Sequence, residues 1–266
     1  MILSMIDENN QKAYAAREIV KHYIQLSRLQ PAEETILELL RDRLSGMKML
    51  DMGVGGGRTT QHFSKAVAEY IGIDYSPEMI AACKKRFSNS STPIQLEVCD
   101  ARDMSRFPDS SFDFILFSFN GIDYISHSDR LQVLQEIHRV GKPGGYFCFS
   151  THNLPAMEAE FDWKNQLTLN PLKTYVNLVM WAIGRFFNRS INLTQLKSSD
   201  YAMLRDESHN FRLDTYYVRP PEQIKQLEPN FREIKVYSWK SGLELTGESD
   251  RCSSRDLWLY YLCEIN

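Results

Sequence analysis

Three acids and three glycines carry the chemistry that this chain can do. Asp51 closes an apolar run beginning at Met49 and is followed by Gly53, Gly55 and Gly57; Asp74 ends a second apolar run, and Asp100 follows a third. Glycines at alternate positions let a backbone turn tightly against a ligand, and a helix beginning near Arg58-Thr59-Thr60 would present free amides to it. An acid at the end of the next strand has the reach to grip a ribose. The set marks a nucleotide-type cofactor site. Read from Gly53, however, the dinucleotide pattern G-x-G-x-x-G puts Arg58 where a third Gly or Ala belongs, and Asp51 would repel a pyrophosphate. A cofactor with a positively charged end fits better.

These residues need a parallel sheet to position them. From 47 to 150, apolar runs alternate with helical patterns, which predicts strand–helix–strand units. Ser76-Pro77-Glu78 supplies an N-cap and a first-turn proline, and Leu131, Leu134 and Ile137 mark one helix face. Residues 8 to 29 and 31 to 45 read as two helices, the second opening at Pro31 with Glu33 and Glu34 in its first turn. Pro220-Pro221 opens a late helix, followed by strands over Phe231 to Ser238 and Asp256 to Cys263. The connection between Asn153 and Pro220 is too long for a plain loop and predicts an inserted lobe. Within it, Asn170-Pro171 starts a helix in which Leu172, Tyr175, Val176, Val179, Met180 and Ile183 form a stripe expected to pack on the body, with a membrane-surface or dimer contact as the alternative. Residues 199 to 206 and 210 to 218 read as a hairpin.

The order D-x-G-x-G-x-G, Asp74, Val98-Cys99-Asp100-Ala101, Phe112-Asp113-Phe114-Ile115-Leu116-Phe117-Ser118 and Glu136 to Tyr146 with its Pro143-Gly144 turn resembles the class I S-adenosylmethionine-dependent methyltransferases. The resemblance implies an α/β fold: a Rossmann-like, seven-stranded, mostly parallel sheet with helices on both faces. It divides the chain into an N-terminal helical cover (1–45), a cofactor-binding core (46–153), an inserted substrate lobe (154–218) and a last helix with strands completing the sheet (219–266). It implies S-adenosylmethionine as cofactor, S-adenosylhomocysteine as product, and a cofactor site of Asp51, Gly53, Gly55, Gly57, Asp74, Tyr75, Met79, Asp100, Ala101, Ser118 and Phe119. Asp113 reads as structural.

Methyl transfer from a sulfonium is an in-line displacement, so alignment and exclusion of water matter more than acid–base machinery. Ligands bind at the carboxyl ends of the strands. His152, directly after the fifth strand, is the candidate base or acceptor-orienting group, and Tyr14 a candidate lid over the cofactor. Asn120, Tyr124, Asn153, Tyr201, Arg205, Arg212 and Tyr216 are candidate acceptor contacts, the two arginines as carboxylate forks unless lobe acids pair with them.

Composition narrows the partners. A net charge of −3 and the lack of basic residues interleaved with aromatics argue against nucleic acid and for a small-molecule substrate. The five cysteines show no C-x-x-C pair or zinc spacing and read as reduced packing residues of a cytoplasmic protein; no metal site is proposed. No export signal or membrane span is expected, and both monomer and homodimer stay open. Methylation of an O or N atom of a small molecule is the expectation; a peptide or protein methyltransferase, or a cofactor-binding protein without turnover, are the alternatives.

Overall fold

The apolar runs become strands because their residues alternate between two buried faces. The computed structural model describes residues 17–207 and 211–266. Strands β1 (Lys48–Met52), β2 (Glu69–Asp74), β3 (Gln95–Val98), β4 (Phe112–Phe117) and β5 (Gly141–Asn153) pair in parallel in the order β3-β2-β1-β4-β5. Leu50, Ile115, Phe147 and Phe149 point to one side, and Met49, Phe114, Leu116 and Cys148 to the other. Sheets covered on both faces read as continuous apolar runs for this reason. The first face is closed by α5 (His127–Val140), through Val133, Leu134 and Ile137, and by α9 (Pro220–Leu227). The second is closed by α2 (Pro31–Leu44), through Ala32, Ile36 and Leu40. Between these helices in the chain lie the single turn α3 (Thr60–Phe63) and α4 (Pro77–Arg86), which packs Ile80 and Cys83 on Val54 and Leu96. The cover also includes α1 (Arg17–Gln25), which ends before the expected boundary at residue 29; residues 8–16 of the expected helix, with Tyr14, lie outside the described residues.

After the lobe, β8 (Phe231–Ser238) and β9 (Trp258–Ile265) return antiparallel, β9 pairing with β5 from Tyr146 to His152; the short helix α10 (Glu248–Ser253) joins them. Asp113 does structural work, accepting from the Lys48 amide and from Lys142 Nζ at 2.8 Å.

Among the described residues the sheet has nine strands, two more than expected. The hairpin is real, β6 (Tyr201–Arg205) against β7 (Asp214–Val218), but it does not stand apart in a lobe. β5 outruns β4: its last pairing with β4 is at Phe149, so His152 and Asn153 have an open edge, which β7 occupies in parallel through Tyr217 and Val218. The rest of the insertion is α6 (Leu154–Phe161), α7 (Pro171–Phe187) and α8 (Leu193–Ser198); α6 and α8 pack beside the hairpin around Leu154, Phe161, Leu196 and Leu204. The stripe on α7 does not pack on the body. Leu172, Tyr175, Val176, Val179 and Ile183 are all exposed, because hydrogen bonds tie the opposite, polar side of the helix down.

Candidate functional site

The glycine loop is folded by its own amides and by Asp74. The Val54 amide donates to Ile73 O, the Gly57 amide to Val54 O, and the Gly55 amide to Asp74 Oδ2 at 2.9 Å. Gly53 and Gly57 take φ of +62° and +81°, and a Cβ at Gly57 would stand 2.4 Å from the Phe87 ring. Only glycine fits such a position. The helix that follows is a single turn, α3, so the loop and not a long helix presents the amides.

Above the loop lies a cavity of about 380 Å³ walled by Gly53, Gly55, Asp74, Tyr75, Met79, Asp100, Ala101, Ser118, Phe119 and Tyr124, all singled out from the sequence. Asp74 sits in its wall with each carboxylate oxygen accepting one amide, Gly55 on one and Ser76 on the other, which leaves lone pairs for a diol. Burial pushes its carboxyl up, against the pull of those two amides. Asp100 is also in the wall, but its carboxylate is already gripped by Arg102, at 2.6 Å and 3.0 Å, and burial is outweighed by that partner, which holds the acid below its ordinary range. A ring amine at Asp100 must therefore share the carboxylate with Arg102.

Two expected cofactor residues stand behind the wall. Asp51 does not line the cavity; it is buried beneath the loop, accepting from the hydroxyls of Thr59 and Tyr70. Burial raises its carboxyl to about 6, partly offset by those hydrogen bonds and by the charge of Arg58. Gly57 likewise faces Phe87 and Cys83 instead of the cavity.

Arg58, the residue that breaks the dinucleotide pattern, is the buried tie between loop and cover. Its guanidinium forks onto Glu33 of α2 with Nη2 to Oε1 at 2.7 Å, reaches Ser118 Oγ at 3.2 Å and lies 4.9 Å over the Phe119 ring. Burial pushes the Glu33 carboxyl up, but the charge and hydrogen bonds of Arg58 outweigh it and hold the acid below its ordinary range. Tyr260 donates to the same carboxylate at 3.0 Å. Phe119 and Asn120, both at φ +60°, leave β4 in the left-handed region, which non-glycine residues rarely enter. That turn aims Phe119 at the cavity and lets the Asn120 amide donate to Ser150 Oγ at 2.8 Å. Val98 and Phe117, from the same motifs, also line it, and Tyr23 of α1, Ile73, Ile125 and Val133 do so without having carried a functional signal in the sequence.

His152 stands one layer behind Tyr124, their ring centroids 6.4 Å apart. Its Nδ1 lies 2.8 Å from Asp123 Oδ2 and its Nε2 3.3 Å from Asn120 Nδ2. Asp123 is fully buried; its other oxygen takes Arg130 at 2.6 Å and Thr151 Oγ1 at 2.7 Å. Asn120 Oδ1 is buried with no hydrogen-bond partner among the described residues.

The other expected acceptor contacts are placed elsewhere. Asn153 fastens the backbone at Ser254 and Asp256, Tyr201 stacks on His127 at 4.3 Å, and the buried Tyr216 hydroxyl meets His127 Nδ1 at 2.7 Å. Arg205 is paired with Asp214 at 2.9 Å, and Arg212 is exposed. None of these five lines the cavity.

A parallel sheet in the order 3-2-1-4-5 with an antiparallel pair after it, a glycine turn over β1 and an acid ending β2 define a Rossmann-like nucleotide-cofactor enzyme. Comparison with known proteins narrows this further. Residues 49–145 match the family described as Methyltransferase domain. The chain is 30% identical over 207 residues to the demethylmenaquinone methyltransferase of Staphylococcus saprophyticus, covering 75% of this chain and 76% of the relative. It is 29% identical over 203 residues to that of Staphylococcus aureus, covering 74% and 73%. Among solved structures, an S-adenosylmethionine-dependent methyltransferase from Mesorhizobium loti superimposes with a TM-score of 0.60 at 17% identity, over 88% of this chain and 97% of that one. Haemonchus contortus phosphoethanolamine N-methyltransferase 1, in complex with phosphoethanolamine and S-adenosylhomocysteine, does so at 0.59 and 14%, over 98% and 48%. The chain belongs to the class I S-adenosylmethionine-dependent methyltransferases and is an enzyme that uses that cofactor.

Proposed function

We propose that this enzyme methylates an oxygen or nitrogen of a small-molecule acceptor, with His152 as the group that orients the acceptor or takes its proton. The observation that carries this reading is the buried Asp123–His152 pair beside the unpartnered Asn120 Oδ1, immediately behind the aromatic wall of the cavity. The relatives named for demethylmenaquinone support a small-molecule acceptor.

When bound, the cofactor supplies a methyl group activated by a sulfonium. The chain's own residues fit that group: Asp74 has free lone pairs for the ribose hydroxyls, the Gly53–Gly55 turn is open to the amino-acid end, and Asp100 with Ala101 flanks the place for adenine. Phe117, Phe119 and Tyr124 exclude water, which a displacement with little acid–base demand requires. Asp123 holds the imidazole through Nδ1, so Nε2 is the nitrogen that accepts a proton as the methyl arrives. Neither Asn120 nor His152 lines the cavity; Asn120 Oδ1, buried without a partner among the described residues, would receive a hydroxyl or amine hydrogen of the acceptor once its side chain turns toward the cavity.

The test is mass spectrometry of the enzyme incubated with isotopically labelled S-adenosylmethionine and a metabolite extract. A small molecule gaining one labelled methyl supports the reading. Label on polypeptide alone, or no labelled product despite tight S-adenosylhomocysteine binding and no NAD binding by calorimetry, refutes it in favour of a protein methyltransferase or a binding protein. With the acceptor in hand, His152→Ala should lower kcat by about 10²–10⁴-fold. An unchanged rate would remove His152 from the chemistry.

A further inference from the structure

The helix α7 is amphipathic in the inverted sense. Its polar side is fastened to the protein: Asn177 Nδ2 donates to Gln166 O at 3.2 Å, Trp181 Nε1 to Phe161 O at 3.0 Å and Arg185 Nη2 to Ile191 O at 2.9 Å. Its apolar side faces outward. Leu172, Val176, Val179, Ile183 and Phe186 recur at steps of four, three, four and three, so they share one face, and they are 36% to 73% exposed. Leu169, in the turn before the helix, is fully exposed. None of the seventeen residues of α7 is buried.

Charge decides what this face fits. From Trp163 to Ser199 the chain has five basic residues, Lys164, Lys173, Arg185, Arg189 and Lys197, and no Asp or Glu, in a protein whose net charge is −3. A second copy seated face to face would bring these like charges together across a two-fold axis. An anionic bilayer surface meets both requirements: its acyl boundary takes the leucine, valine, isoleucine and phenylalanine side chains, and its headgroups take the exposed lysines and Arg189, Arg185 being held on the inward side. We propose that α7 lies in the interfacial plane of an anionic lipid bilayer and docks the enzyme there. Among the described residues no helix is long and apolar enough to cross a membrane, so the contact is peripheral. The proposal is independent of the acceptor atom.

The experiment is co-sedimentation of the full chain with vesicles of phosphatidylcholine alone and of phosphatidylcholine with 30% phosphatidylglycerol, in ~50 mM salt. The expected result is binding to the anionic vesicles that is at least about tenfold tighter and weakens with salt. Ile183→Asp with Phe186→Asp should abolish it. Lys173→Gln with Arg189→Gln should weaken it by about 25-fold, at roughly fivefold per basic residue near such a surface. All four side chains are exposed, so S-adenosylhomocysteine affinity by calorimetry should be unchanged and reports that the variants are folded. Equal binding to both vesicles, no binding to either, or binding that survives the aspartates overturns the proposal. So does a dimer in size-exclusion chromatography that the aspartates dissolve, which would assign the face to a second copy.

Discussion

Removing Arg58 tests whether the cover and the glycine loop are held as one unit. The Glu33 side chain has no exposed surface and that of Arg58 only 10%. In an Arg58→Met variant the Glu33 carboxylate would keep three donors, the Gln30 amide at 2.7 Å and the hydroxyls of Ser118 and Tyr260, but lose its ionic partner. Breaking a buried pair by deleting one member costs about 3–5 kcal/mol, and the three remaining donors place the expectation near the lower end, ~3 kcal/mol. For a chain of this length that lowers the melting temperature by roughly 6 °C. Replacing both members, Arg58→Met with Glu33→Leu, leaves no buried charge and should recover most of the loss, because a packed apolar pair can match a buried ion pair.

The assay is urea unfolding followed by circular dichroism at pH 7.5 and again at pH 4. Glu33 is held below its ordinary range in the fold, so its contribution is present above the usual carboxylate pKa and is lost as the pH falls through the depressed value. The gap between wild type and Arg58→Met should therefore narrow at the acid end. A loss below about 1 kcal/mol at pH 7.5, or a double variant as unstable as the sum of the two singles, would refute the argument that this pair is buried and coupled.

Other consequences follow from the same geometry. Asp74→Asn should weaken S-adenosylhomocysteine about 10- to 100-fold by calorimetry, since hydrogen bonds to a charged acceptor contribute about 1.5–3 kcal/mol, while leaving the unfolding midpoint at neutral pH unchanged or higher because burial disfavours the ionised acid. Asp51, raised to about 6, contributes stability below its unfolded pKa that is lost as the pH rises through 6. Wild type should therefore fall relative to Asp51→Asn by up to ~3 kcal/mol between pH 4 and pH 7.5, read from urea midpoints; parallel curves would refute the shift. Gly57→Ala, at φ +81° with its Cβ 2.4 Å from the Phe87 ring, should lose about 2–3 kcal/mol in thermal unfolding. Gly55→Ala, whose nearest contact is Tyr23 at 3.7 Å, should lose about half as much, from backbone strain alone.

What could be read from the sequence was what lies close together along it. Asp51, the three glycines and Asp74 span one strand–turn–strand unit, so their spacing alone predicts the loop over β1 and the acid beside it. Spacing did not say which members face the ligand. Asp74 ends in the wall while Asp51 ends beneath the loop, and the difference is made by Tyr70 and Thr59, whose hydroxyls draw Asp51 down. Partners far apart in the chain gave no signal: Asp123 precedes His152 by 29 residues and Glu33 precedes Arg58 by 25, and only the closed sheet brings each pair together. Arg58 did announce itself, as a misfit in a glycine pattern, but its partner did not.

Periodicity has a similar limit, and α7 shows where it lies. A repeat of three and four residues establishes that Leu172, Val176, Val179 and Ile183 share a face, and nothing in the repeat says whether that face turns inward. Burial was the expectation because apolar stripes usually meet a core. The residues that settle the matter are on the other side: Asn177, Trp181 and Arg185 each find a backbone carbonyl of the insertion to hold, and the Arg185 guanidinium lies 4.5 Å over the Phe161 ring. Turning the stripe inward would break these three hydrogen bonds and lift the Arg185 guanidinium off the Phe161 ring. The outward stripe is thus the consequence of the anchors on the opposite side of the helix.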